Sequence, residues 1–238
     1  MNTAPAPPWR GAALRLLLRY WVRVSCVAWC VLSLVVLAMT GSSALLTEYG
    51  PDADGVMPSY GAWVRAYCLV IGVHLTWHSL PLHVSNSMTR RAFSRQALVF
   101  AVAIAGFTAA LFTAGLGLEV LVYTAADQPH DWGFASLPSY LLESWLVHLV
   151  WLVGGAFAAA CVYRFASRGL LVVPFVTLLI FPGDILLGRD SVALGTLPAY
   201  ADQLALGWAV LGLLGITAVG TLLTWCLVRD VPIRPPAR

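Results

Sequence analysis

Three sets of residues in this sequence have types and spacing that could do chemistry. The first is histidine: His74 and His78 lie four apart in HLTWHSLPLH, and His148 follows much later. Residues four apart on a helix share a face. Two imidazoles so placed could ligate a metal or haem, or pair with His148 across a helix bundle. No carboxylate or cysteine stands at ligand spacing beside them. Cofactor sites in bundles are usually built from facing helices, so the favoured reading is polar histidines turned toward a bundle interior or cavity. The second set is acidic: Glu119, Glu143 and Asp184 sit within or at the edge of apolar runs. Charge is costly in lipid; Glu143 reads as a boundary residue, and Glu119 and Asp184 as candidates for a cavity wall. The third set lies in PLHVSNSMTRRAFSRQ. Thr89 can cap a short helix in which Arg90, Arg91 and Arg95 form a basic face and Phe93 an apolar knob, a shape suited to docking a partner. Simple retention of arginine on the cytoplasmic side accounts for the same residues without one.

Other chemistries are excluded by what these 238 residues lack. All 14 basic side chains are arginine. A P-loop needs a lysine on the β/γ-phosphates and Schiff-base catalysis needs a lysine amine, so neither is carried here. No HExxH or GxSxG occurs, which leaves no zinc-protease or serine-hydrolase signature. Cys26, Cys30, Cys68, Cys161 and Cys226 all fall in apolar runs with no CxxC pair; they read as small apolar filler with no disulfides. No cofactor and no nucleic-acid partner is expected.

The elements that must position these residues are set by composition. The chain is 60% hydrophobic and 11% charged, against about 25% charged in a soluble domain, so lipid takes the place of water. A helix needs about 20 apolar residues to cross the hydrocarbon. Six stretches qualify, near 22–46, 62–82, 97–122, 141–163, 170–188 and 204–228. The fifth contains Pro174, Pro182 and Gly183 and is expected to be kinked or partly re-entrant. Full-length apolar runs and the lack of a small-residue cleavage site argue against a cleaved signal peptide.

Arginines cluster before the first stretch (Arg10, Arg15, Arg19, Arg23), after the second (Arg90, Arg91, Arg95), after the fourth (Arg164, Arg168) and at the end (Arg229, Arg234, Arg238). Acids hold the alternate loops (Glu48, Asp52 and Asp54; Asp127 and Asp131; Asp190 and Asp202), with Arg65 and Arg189 the only arginines on that side. Basic residues stay in the cytoplasm, so both termini are predicted inside. Residues 1–8 and 231–238 read as disordered tails around a single transmembrane domain, 9–230. From Trp9 to Arg23, three arginines on one face oppose Leu14, Leu17, Leu18 and Trp21. That pattern fits an interfacial helix, or plain anchoring of the first span. Small residues recur at helical spacing (Gly106, Ala110, Ala114; Gly155, Ala159; Ala156, Ala160; Gly212, Gly215, Gly220), which suits close helix packing within the chain.

The stretch LPLHVSNSMTRRAFSRQALVFAVAIAGFTAALFTAGLGLE resembles the permease subunits of ABC-2-type transporters of high-GC bacteria. The match falls on Pro81, Thr89, Arg90, Arg91, Phe93 and Glu119, with Ser87 where the family has glycine. DWGF (Asp131, Trp132, Gly133) resembles the family's outer-loop Gly-Trp-Gly segment, and Gly155, Tyr163, Arg164 and Gly169 resemble the end of its fourth span. The resemblance covers residues 80–175 in detail. It implies an all-α fold of six spans, type V ABC exporter-like, in a bacterial cytoplasmic membrane. It further implies a half-transporter that pairs with a second permease subunit, alike or different, and docks a separate ATP-binding subunit. Thr89, Arg90, Arg91, Phe93 and Arg95 would form the coupling loop, within 83–95. ATP chemistry would belong to the partner, so the chain itself is expected not to be an enzyme, and export of hydrophobic or amphipathic cargo is the implied direction.

Overall fold

Lipid offers no hydrogen bonds, so an apolar chain must satisfy its backbone internally, and every regular element among the described residues is helical. The computed structural model describes residues 12–45, 60–85, 89–125, 133–172, 174, 176, 180 and 206–230. In chain order these form α1 (Ala12–Leu45), α2 (Gly61–His74), a π-helical turn (Leu75–Ser79), α3 (Leu80–Ser85) and α4 (Arg90–Ala125). A 3-10 turn (Phe134–Ser136), α5 (Leu137–Phe165), a second 3-10 segment (Ala166–Val172) and α6 (Leu206–Val228) follow. Four stretches, Leu14–Val35, Arg90–Ala125, Phe134–Phe165 and Gly207–Val228, are long and apolar enough to cross a membrane. The chain is a helical protein of multi-pass membrane type.

Three expectations change. The interfacial helix and first span are one helix: α1 runs unbroken through Arg15, Arg19 and Arg23, and nothing in that stretch carries a proline or glycine to break it. The second expected span is helical from Gly61 to Ser85, but the π turn divides it, so neither α2 nor α3 alone has crossing length. The fifth lies mostly outside the described residues. The 3-10 segment Ala166–Val172, which covers only its first three residues, follows α5 directly and is entered through Ala166 at φ 53°. Gly169 then presses against the last turn of α5, where a Cβ would come within 2.5 Å of the Cys161 carbonyl oxygen.

α5 is the central helix, packed by α2, α4 and α6, while α1 leans on α4. Small residues set the closest crossing. A Cβ on Gly72 would lie 1.9 Å from the Leu152 carbonyl oxygen, and one on Gly155 would lie 2.1 Å from that of Leu69. Helix association in lipid depends on such packing, because the tails are as apolar as the side chains. Gly155 therefore serves a contact within the chain; Gly215 faces open space instead. Between α4 and α5, Gly106 makes room for Trp145, whose Nε1–H donates to the Val102 carbonyl at 3.0 Å. α1 runs antiparallel to α2 through edge-on aromatic contacts of Trp21 with Tyr67 and His74, and a 2.9 Å Ser25–Tyr67 hydroxyl hydrogen bond. On α6, Ala209, Leu213, Thr217 and Gly220 form a narrow buried stripe, and most of the remaining surface is exposed apolar side chain. Cys68 and Cys161 fill the core, whereas Cys26, Cys30 and Cys226 are exposed, so only the first two act as filler.

Candidate functional site

The arginines converge on one end of the bundle. The Nη1 of Arg90, at the start of α4, donates to the Arg229 carbonyl at 2.6 Å, just past the end of α6. Arg164, near the end of α5, donates from Nη1 to the Cys226 and Leu227 carbonyls at 3.3 and 3.1 Å. The last carbonyls of a helix have no partner within it and carry its negative dipole end, which explains why guanidinium groups gather there. Asp230 is paired with Arg229 at 2.8 Å. Arg65, Glu119 and Glu143 lie toward the opposite end, by their positions on α2, α4 and α5.

At the start of α4, Thr89 caps the helix: its Oγ1 accepts from the Ala92 N–H at 3.2 Å and its carbonyl from the Phe93 N–H at 3.0 Å. The helix it opens is the long α4 rather than a short separate one. Phe93 does not project as a knob. It is buried in the main apolar core with Trp21 and Val228, and its ring meets His83 edge-on at 5.2 Å. The helical phase explains this: with Arg91 and Arg95 turned outward, a residue midway between them points inward. Arg90 is half-buried on its bond to Arg229, while Arg91 and Arg95 are exposed. Of the five expected docking residues, the outward cations are therefore Arg91 and Arg95.

The histidines divide into two places. His74 and His78 face each other with ring centroids 4.9 Å apart across the π turn. His74 is half-buried against Trp21 and His78 is exposed. Among the described residues, no group of three or more His, Cys, Asp or Glu is placed to hold a metal. His148 does not join this pair. It is buried, with Nδ1 3.2 Å from the Thr108 hydroxyl. That hydroxyl donates to the Ala105 carbonyl at 3.0 Å and lies 3.7 Å from the Cys68 thiol. A hydroxyl has one proton and two lone pairs. With the proton committed to Ala105, the Thr108 oxygen can accept from Cys68 S–H and, in the Nδ1–H tautomer, from His148. Thr108 and His148 stand 18 and 17 positions from the arginine end of their helices, and Cys68 stands 17 positions from the end of the helical run 61–85, roughly 26 Å along the bundle at 1.5 Å per residue. Glu119 is also buried, farther along α4. Asp184 lies outside the described residues.

A second feature was not visible in the sequence. α4 and α6 both pack on α5 but barely meet each other, and the gap between them is a pocket of about 80 Å³. Its walls are Ser94, Ala97 and Ala101 of α4, Leu152 and Val153 of α5, and Thr224, Trp225 and Val228 of α6, with Leu75 and Thr76 of the π turn closing the back. The wall is apolar side chain with a few hydroxyls, a pattern indistinguishable in sequence from ordinary helix packing. No family model, curated protein or solved structure matches the chain.

Proposed function

We propose that this chain is the membrane-spanning subunit of an ATP-driven ABC-type exporter, docking a separate ATPase through its arginine end and pairing with a second permease subunit. In this reading the bundle has six spans with both termini inside. The helical run 61–85 is roughly 37 Å long at 1.5 Å per residue, enough for a second span despite its π turn, and the apolar run 170–188 supplies a fifth.

The observation that carries the docking role is the start of α4. Arg91 and Arg95 point outward from a helix end that Thr89 caps, Phe93 roots in the core, and Arg90 ties to the end of α6. A push on the exposed cations would move a 36-residue helix and α6 together, rather than bend a loose loop. Such rigid coupling is what converts closure of an ATPase pair into rocking of helix bundles. The absence of lysine agrees with ATP chemistry residing on another chain.

The test is affinity purification from native membranes in mild detergent, with co-purifying chains identified by mass spectrometry. An ATPase should accompany the wild-type chain and be lost from Arg91→Glu/Arg95→Glu. Undiminished recovery with the double variant would sink this docking face. No ATPase with the wild-type chain would sink the exporter reading and leave a membrane-embedded accessory protein of the same fold.

A further inference from the structure

We infer that the pocket between α4 and α6 binds one acyl chain of an anionic phospholipid from the leaflet at the arginine end, its phosphate held by Arg90 and Arg164. The inference rests on the membrane character of the chain and is independent of any ATPase.

Depth comes first. Val228 is the last residue of α6 and Ser94 lies one turn into α4, while Ala101 and Thr221 lie about two turns further in. The pocket therefore begins beside the arginine end and runs inward along the bundle, as an acyl chain does below its headgroup. Access comes second. Ser94, Ala97, Thr221, Thr224 and Trp225 are all half-buried and Leu98 is exposed, so the pocket is open along one side to the surroundings of the bundle. A tail can enter sideways without the helices parting.

Charge decides the headgroup. Arg90 reaches the Arg229 backbone carbonyl where α4 and α6 frame the pocket mouth, and Arg164 bonds the same end of α6. Among the described residues, Asp230 is the one acid at this rim, and it is exposed and engaged with Arg229. Arg90 and Arg164 each use only Nη1 in these bonds, leaving the other nitrogens of each planar fork for a phosphate, which guanidinium groups bind in a bidentate way. The α6 carbonyls fix both forks in place, so little freedom is lost on binding. Basic pockets between helices at the cytoplasmic face recognise anionic headgroups by this physics.

The experiment uses the full chain in detergent, with bound lipid counted by native mass spectrometry. Titrations compare dioleoyl phosphatidylglycerol, dioleoyl phosphatidylcholine and glycerol phosphate. Phosphatidylglycerol should bind tighter than phosphatidylcholine, and each of Arg90→Gln and Arg164→Gln should weaken it by roughly fivefold. Ala97→Phe, which fills the pocket, should abolish tight binding. Because that variant could misfold, an unchanged elution volume and melting temperature are required of it, and the two arginine variants carry the test if it fails them. Equal binding of the two lipids, or no loss in the arginine variants, overturns the inference. Binding of glycerol phosphate as tight as that of the lipid also overturns it, since the tail would then contribute nothing.

Discussion

The Thr108 hydroxyl meets polar groups of two other helices, Cys68 of α2 and His148 of α5. Thr108→Val should remove the hydroxyl that both of these groups meet, in a region that water does not reach. A loss of roughly 1–2 kcal/mol is expected, read as easier unfolding by dodecyl sulfate in bicelles, and Thr108→Ser should restore most of it. Equal stability of the valine and serine variants would show that the trio is incidental. Sequence reading located His148 but not its partner, since Thr108 is 40 positions away and a lone threonine in an apolar helix carries no local signature. Thr89 was legible because a cap acts within its own turn. Phe93 was misjudged for the opposite reason: its neighbours in sequence are charged, and only the tertiary position of α1, α3 and α6 makes the inward face of that turn apolar.

Helices were legible from length and hydropathy: the bounds of α5 and α6 lie within four residues of the apolar runs, while α4 begins seven residues earlier, at Arg90. Their joints were not. The π turn at Leu75–Ser79 leaves no residue signature, because widening one turn needs only an extra residue, not a particular one. The α2–α5 crossing was half visible: Gly155 belongs to a small-residue series, whereas Gly72 stands alone among bulky neighbours. Both now have the same explanation, backbone meeting backbone. Gly155→Ala and Gly72→Ala should each force the helices apart and cost about 3 kcal/mol, seen as a lower thermal aggregation temperature. Gly215→Ala, with nothing within 4 Å of the added carbon, should change little. If all three variants behave alike, close approach is not what those glycines provide.

For the whole molecule, the gathering of arginines at one end predicts which side faces the cytoplasm. In a background lacking the native cysteines, Gly133→Cys should react with an impermeant maleimide on intact cells. Ser85→Cys and Asp230→Cys should react only after permeabilisation. The reverse pattern would overturn both the sidedness and the docking assignment. The central place of α5 also has a consequence in time. α1, α2 and α4 leave the ribosome before α5 exists, and α2 touches α4 only sparsely. Until α5 is inserted, α1 is the main link between α2 and α4, and Gly72 and Leu69 wait for a partner surface not yet synthesised. Assembly of this bundle is therefore expected to wait on the insertion of α5, and a nascent chain stalled before it should remain a looser set of helices open to quality-control proteolysis.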